Sequence, residues 1–276
     1  MINAKKISLN TVWLIVVLTL GFIMAYPIIY MLLSAFKGPG ELFGGGFQLL
    51  PETWHFENFI NAWKSAPWAS FFTNTFIVSA SIMFLQMFTC SLAGFAFANI
   101  QFKGSKIVFI FLLATSMVPF ESTMVPSYLL IAELGLLNTY TALILPSAAT
   151  ILGIFIMRQQ FKTMPKELFE AAQMDGASTV RMFFQIALPN AKPSLALVGL
   201  LAFRNAWNDY TWPLLITTEN NMRTVQMGLR YMIDPERGIN WPELLAASTF
   251  VTIPSVILFL FIQKYMVNIG LGSATK

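Results

Sequence analysis

Residues 72–98 read FTNTFIVSASIMFLQMFTCSLAGFAFA, twenty-seven residues without one charged side chain. A hydrocarbon layer about 30 Å thick, crossed at about 1.5 Å per residue, needs about 20 mainly apolar residues of α-helix, so this run is long enough to span. It lacks the strict polar–apolar alternation over about 10 residues that a membrane β-strand would show. Working outward, five further runs meet the same test, at roughly 12–36, 106–130, 138–158, 193–216 and 244–267. The sequence therefore predicts an all-α, polytopic membrane protein of six transmembrane helices. The first run follows Lys5 and Lys6; it is too long for a cleaved signal sequence and reads as a retained span.

Composition agrees. Of 276 residues, 56% are hydrophobic and 11% charged, against about 45–50% and about 25% in soluble domains. No soluble core of this length hides that much apolar surface, and a disordered chain needs the opposite bias. The single cysteine, Cys90, and the single histidine, His55, exclude an internal disulfide, a zinc site and a Cys–His pair within the chain. No metal site is expected. The scattered acids form no reactive constellation for a membrane-embedded enzyme, and no span carries the every-third-residue arginines of a voltage sensor.

The basic residues set the topology. With the N-terminus in the cytoplasm, the inner segments carry Lys5, Lys6, Lys103, Lys106, Arg158, Lys162, Lys166, Arg181, Lys192, Lys264 and Lys276, eleven in all. The outer loops carry five: Lys37, Lys64, Arg223, Arg230 and Arg237. This bias predicts both termini inside. It also accounts for the net charge of +4 without nucleic acid. Three connections are long: outer loop 37–71 with Gly44-Gly45-Gly46, inner loop 159–192, and outer loop 217–243. The link at 99–105 is short and predicts a tight hairpin.

The inner loop is the most informative segment. Residues 163–193 read TMPKELFEAAQMDGASTVRMFFQIALPNAKP. Pro165 suits a first helical turn, Glu167 and Glu170 suit the N-terminal half, and Leu168 and Ala172 share a face with Phe169 beside them. Gly176 ends this helix and Ser178 caps a second, which runs to about Ala187 before Pro189 and Pro193 close it. Two short amphipathic helices on the cytoplasmic side fit either an interfacial position on lipid headgroups or the docking of a partner.

In this loop, Glu170-Ala171-Ala172, then Gly176, then Ile186-Ala187-Leu188-Pro189 at fixed spacing resemble the EAA loop of ABC importer permeases, with Asp175-Gly176-Ala177-Ser178 extending the match. Gly135-Leu136-Leu137-Asn138-Thr139, Trp207-Asn208-Asp209-Tyr210 with Pro213-Leu214, Arg223-Thr224, Gln263-Lys264-Tyr265 and Gly270-Leu271 are similar to the carbohydrate-uptake branch, in particular to the shorter permease of maltose transporters. The tail, Gly272-Ser273-Ala274-Thr275-Lys276, departs from that pattern.

The resemblance implies a type I ABC importer permease fold over a single domain, 1–276, with its core at about 72–268. It implies a multi-pass protein of a prokaryotic cytoplasmic membrane that forms half of a sugar pathway. Its partners would be a second, longer permease, two ATPase subunits and an external binding protein. This chain has no Gly-Lys dipeptide and so no phosphate-cradling loop; it would bind no cofactor and catalyse nothing, with ATP and magnesium held by the ATPases. The coupling residues implied are Glu170, Ala171, Ala172, Asp175, Gly176, Ile186, Leu188 and Pro189. A phosphorylated polyol in place of the sugar is the alternative within the superfamily.

The translocation pathway is expected among polar groups inside the spans, because a charge at the bilayer centre costs about 2.5–3.5 kcal/mol and should face protein or water. The candidates are Arg204, Asn205, Trp207, Asn208, Asp209 and Tyr210 in the fifth run and Glu121 in the third, with Asn74, Gln86 and Thr89 in the second. Trp207 or Tyr210 would stack on a sugar; interhelical hydrogen bonding is an equally open reading for the asparagines. Trp212 and Trp241 read as interfacial anchors. Outer loop 217–243, with Arg223, Arg230 and Tyr231, is either a contact for the binding protein or a solvated loop.

Overall fold

The computed structural model describes residues 2–44, 48–100, 102–234 and 238–274, and the side chains of 11–44, 48–100, 102–233 and 238–263. Gly45, Gly46, Glu236, Arg237, Thr275 and Lys276 lie outside the described residues, as do the side chains of Lys5, Lys6, Asp234 and Lys264. The chain forms two compact units: Met1–Pro67 with Leu229–Ile253, and Trp68–Gly228 with Pro254–Lys276.

Three helices cross as unbroken apolar rods: α1 (Ile2–Ser34), α3 (Trp68–Asn99) and α14 (Trp241–Ala274). The other spans are bent pairs. Helix α4 (Ser105–Thr115) meets α5 (Phe120–Glu133) at 95°, and α6 (Tyr140–Ile144), with a 3₁₀ turn to Ser147, meets α7 (Ile151–Lys162) at 46°. Helices α9 (Thr179–Met182) and α10 (Leu188–Asn190) belong to a segment that meets α11 (Lys192–Asn208) at 81°. Six spans result when each bent pair counts as one.

The runs at 106–130 and 138–158 are thus not straight helices, and the cause is proline. Pro119 stands in extended backbone (φ −66°, ψ 144°) and disfavours helix at Val118 before it. Pro146 similarly forces the 3₁₀ turn. The fifth run, 193–216, is also interrupted, at Asp209 and Tyr210, before α12 (Thr211–Ile216).

Helix α3 is the spine of the second unit and packs along α7 and α11. Its buried positions include Phe71, Thr75, Val78, Ile82, Gln86, Cys90 and Gly94, spaced three and four apart as one helical face requires. Small residues set the approach to α7. A Cβ on Gly94 would stand 2.7 Å from the Met157 Cβ and 2.8 Å from the Arg158 backbone N, and one on Gly153 would stand 2.8 Å from Cys90 Sγ. Below these contacts Phe95 gathers the rings of Phe161 (5.6 Å), Phe169 (6.0 Å) and Phe183 (5.4 Å). Arg158 lays its guanidinium 4.0 Å from the Phe109 ring centroid and donates to the Phe97 carbonyl.

The polar groups of α3 serve its neighbours' backbones. Gln86 Nε2 donates to the Ser147 carbonyl (2.7 Å), Thr89 Oγ1 to Ala148 (2.7 Å) and Cys90 Sγ to Thr150 (3.5 Å). The Ser147 and Ala148 carbonyls lie at the break before α7, and the Thr150 carbonyl also accepts the Ile154 amide (3.0 Å) that opens α7; side-chain donors from α3 satisfy irregular backbone at this depth. Asn74 donates to the Asn221 and Arg223 carbonyls and accepts from Tyr140 Oη at 2.7 Å. Gln86, Thr89 and Asn74 therefore have structural partners.

The segment 135–139 is a clamp. Gly135 (φ 68°) turns the chain out of α5, and Asn138 is left-handed at φ 58°. Asn138 Oδ1 accepts the Thr218 and Glu219 amides at 2.7 and 3.1 Å, its own N–H donates to Ile216, and Thr139 caps α6 through the Ala142 amide. Beyond it lie helix α13 (Val225–Tyr231) and a two-residue antiparallel ribbon, β1 (Ile233–Asp234) against β2 (Gly238–Ile239). That ribbon is a small β element in an otherwise helical chain; a short hydrogen-bonded return needs no apolar run, and the sequence gives it no signal.

In the first unit, helix α2 (Glu57–Lys64) follows a loop built around Lys37. Lys37 is buried, and its ammonium is matched by the Gln48 carbonyl and the Tyr30 ring face. Glu41 accepts the Gly38 and Glu52 amides. Burial pushes its carboxyl up, but those two N–H bonds, aided by Lys37 and His55, leave it below the usual carboxylate range.

Gly94→Val is expected to destabilise the protein by about 1–3 kcal/mol, because the backbone and Cβ atoms of α7 cannot yield. Gly199→Ala, whose added Cβ would meet the flexible Met87 thioether at 2.8 Å, should cost less. Thermal unfolding of the two variants in detergent checks the order.

Candidate functional site

Two regions carry chemistry beyond packing, and both lie in the second unit. The first is the inner loop. Pro165, in extended backbone, precedes α8 (Lys166–Met174) rather than entering its first turn. Past α8, Gly176 takes φ 76°; its N–H donates to the Gln173 carbonyl (3.0 Å) and the Ala177 N–H to Ala172 (2.9 Å). This pair of bonds is a Schellman closure, which a left-handed glycine permits. Ser178 Oγ then accepts the Arg181 amide at 3.3 Å and starts α9.

The second loop helix does not stop at Ala187. It widens into a π-helical turn, Phe183–Ala187, and continues through α10 with Pro189 inside it. A proline lacks its N–H and crowds the carbonyl four residues back, here that of Gln185; a wider turn accommodates both. The chain turns sharply only at Ala191, before α11.

The faces of this loop are divided. Phe169, Phe183 and Ala187 pack into the core formed with Phe95, Met157 and Phe161, and Ala172 is buried. Leu168 does not share the face of Ala172: it is exposed, because a step of three from Phe169 to Ala172 follows the buried side more closely. Ala171 also faces out, with Glu167, Glu170, Asp175 and Gly176. Met174 (88% exposed), Val180 (66%) and Phe184 (48%) are the exposed large apolar residues of the same two loop helices, with Leu168. Ile186 and Leu188 are half-buried, and Pro189 is exposed.

The second region is a cavity of about 730 Å³ lined from α3, from the 146–150 break, and from α11 and α12. Arg204, Asn205, Asn208 and Asp209 line it, with Gln86 and Thr150 opposite in the lining. The helix break at 209 makes this possible. Asp209 leaves helical backbone (ψ 123°) and its Oδ1 accepts the Trp212 amide at 3.3 Å, ending α11 and starting α12. Asn208 Nδ2 donates to the Arg204 carbonyl at 2.8 Å, and Gln226 Nε2 reaches both Asn208 Oδ1 and the Trp207 carbonyl at 3.4 Å. The lining thus holds one cation, one anion and three amides.

The remaining sequence candidates fall elsewhere. Trp207 is 2% exposed and stacks on Phe203 at 5.4 Å, so it belongs to the core and not to the cavity lining. Tyr210 and Glu121 do not line the cavity, although Phe120 does. Trp212 is not an interfacial anchor: it is buried, lines the cavity, and donates its indole N–H to the Ala142 carbonyl at 2.9 Å. Sequence reasoning missed this wall residue because a tryptophan near a span end reads first as interfacial; the preceding Asp, which caps the helix holding it, is the usable signal. Thr224, part of the Arg223-Thr224 match, is also in the lining, a role the sequence does not signal. Of the outer-loop candidates, Arg223 is half-buried and its carbonyl is held by Asn74, while Arg230 and Tyr231 are exposed. Among the described residues no group of His, Cys, Asp and Glu could hold a metal ion.

Comparison with known proteins agrees with this architecture. The chain is 36% identical over 268 residues to the arabinooligosaccharides transport system permease protein AraQ of Halalkalibacterium halodurans, covering 95% of this chain and 96% of that one. It is 36% identical to the probable ABC transporter permease protein YurM of Bacillus subtilis (96% and 88% covered) and 31% identical to the sn-glycerol-3-phosphate transport system permease protein UgpE of Yersinia pestis (95% of each). Its fold matches a chain of a bacterial ABC transporter involved in the import of alginate, at a TM-score of 0.80 and 21% identity over 95% of this chain and 97% of that one. Residues 87–268 match the family described as binding-protein-dependent transport system inner membrane component, and with relatives of this identity and length the chain belongs to that family of multi-pass membrane permeases.

Proposed function

We propose that the chain forms half of the translocation pathway of an ABC importer for a sugar or oligosaccharide, and that its inner loop docks into a cleft on an ATPase subunit. One observation carries the coupling role: Met174, Val180 and Phe184 stand exposed, as do Glu167, Glu170 and Asp175, on a loop whose other face is fixed in the core. Exposed apolar side chains on the same loop as acids suit a protein cleft that offers basic groups to Glu170. Ala171 allows close approach, and the Gly176 turn sets the angle between the loop helices. Leu188 packs against the core, with Ile186 and Pro189 close to it in the chain.

The partners in this reading are a second permease, two ATPase subunits that bind ATP and magnesium, and an external binding protein reached through Arg223, Arg230 and Tyr231. A relative in fold, at a TM-score of 0.64, is a bacterial alginate ABC transporter in complex with its pentasaccharide-bound periplasmic protein. The preponderance of basic residues in the inner segments supports cytoplasmic termini. ATP-driven closure of the ATPases would pull the loop and switch the access of the cavity, with ATP supplying the differential state preference such a switch requires.

A sugar suits the cavity because Asn205 and Asn208 supply neutral amides and the Asp209 carboxylate offsets Arg204. The sn-glycerol-3-phosphate relatives favour a phosphorylated polyol as the second reading, with Arg204 as its ligand. Glu121, Trp207 and Tyr210 are outside the proposed ligand set on geometric grounds.

Gly176→Val forces a branched side chain into left-handed backbone at about 1–2 kcal/mol, with open space around the new Cβ. Membrane insertion should persist while transport falls at least tenfold, and Gly176→Asn should retain most of it. Normal substrate-coupled ATPase activity in the valine variant would sink the docking role. Asn208→Ala removes the contact with Gln226 and should weaken uptake of the cognate solute several-fold with assembly intact. Unchanged transport in uptake assays would remove Asn208 from the pathway.

A further inference from the structure

The loop after α1 contains a helix with three distinct faces. Turning about 100° per residue, α2 places Asn58 and Ala62 on one side, Glu57, Asn61 and Lys64 on a second, and Ile60 and Trp63 on a third, with Phe56 just ahead of the helix in line with them. The first side is buried in the unit's own structure (Asn58 5% exposed, Ala62 0%). The second is polar and exposed. The third is apolar and equally exposed: Phe56 64%, Ile60 55% and Trp63 49%, continued by Trp54 at 51%.

The depth of this stripe is fixed by its fastenings. Asn58 Nδ2 donates to the carbonyls of Ala35 and Lys37, both at 2.9 Å, and the His55 N–H donates to Phe36 at 2.9 Å; these acceptors are the first residues beyond the end of the α1 span at Ser34. The Phe36 ring lies 5.2 Å from Trp54, 5.3 Å from Phe56 and 4.9 Å from Phe59. At its other end α2 meets the beginning of α14: Asn61 Nδ2 donates to Glu243 at 3.1 Å, and the Trp63 ring stands edge-on to Phe250 at 5.5 Å. The ends of two spans therefore bracket the helix at the level where hydrocarbon gives way to headgroups. Tryptophan and phenylalanine on one side with Glu and Lys on the other is the composition that partitions to that level.

We propose that α2 is an interfacial anchor: its Phe56–Ile60–Trp63 stripe, with Trp54, enters the headgroup–acyl boundary of the bilayer while Glu57, Asn61 and Lys64 face water. The surface is thus a lipid site, and it holds the 37–64 loop at fixed depth beside the ends of α1 and α14. The assignment of this boundary to the outer leaflet rests on the topology proposed above; the lipid contact itself does not.

The test uses the assembled transporter in phospholipid vesicles, with a nitroxide attached at Ile60→Cys or at Asn61→Cys; Cys90, the only native cysteine, is fully buried. Power saturation should show the label at 60 relaxed several-fold more by oxygen than by a water-soluble nickel chelate, and the label at 61 the reverse. Phe56→Cys should repeat the result at 60. Nickel access at both 60 and 56 would overturn the proposal in favour of a solvated loop. Protection of both from either reagent would overturn it in favour of a protein partner on this stripe. The leaflet is read separately, from reaction of the 61 thiol with an impermeant maleimide added to intact cells, so an inverted topology leaves the depth result standing.

Discussion

Every carbonyl released by a broken helix inside a bilayer must find a donor within the protein, and this requirement organises the chain more than any single apolar contact. The break before α7 leaves Ser147 and Ala148 outside regular helix, with Thr150 at the start of α7, and α3 answers with Gln86, Thr89 and Cys90, spaced so that one helical face meets all three. The closeness of α3 to α7 at Gly94 and Gly153 brings these short side chains within reach. The cavity owes its existence to the same arrangement, since its lining includes Thr150 and the splinting Gln86.

The second break, at Asp209, is satisfied locally rather than from a neighbour. A carboxylate accepting the Trp212 amide ends one helix and begins another, and turns Asp209 and Asn208 toward open space instead of toward lipid. Asn138 acts similarly at 135–139, where one amide side chain closes three backbone and hydroxyl groups near the end of α12. Polar residues in the spans are thus divided between those that repair backbone and those that face the cavity. Gln86 and Asn208 belong to both sets.

The sequence makes the spans legible because length and apolarity are local properties. The prolines at 119, 146 and 189 were visible too, but the size of each bend depends on what satisfies the freed groups, and that partner lies tens of residues away. Gln86 and Thr89 were read as pathway groups because a polar side chain in a span looks the same whether it meets a solute or a carbonyl. The inner loop was the most legible part: Gly176 and Ser178 act through contacts within a few residues, so their roles as terminator and cap could be read directly. The face of Leu168 could not, because Phe95, more than seventy positions earlier, packs against Phe169 and so turns that side of α8 inward. Trp207 and Trp212 both left their expected places for a similar reason: aromatic residues at a span end declare amphipathy, and only tertiary packing tells core, cavity wall and boundary apart.

The Phe95 ring touches Phe161 on α7, Phe169 on α8 and Phe183 in the π-helical turn. A tether would let the loop be tugged without consequence until its slack was used up. Here there is no slack: the loop is keyed into the same packed core as α3 and α7, so in the proposed docking role a torque applied at its outer surface would reach those helices directly. The loop would then act as a handle and not as a tether.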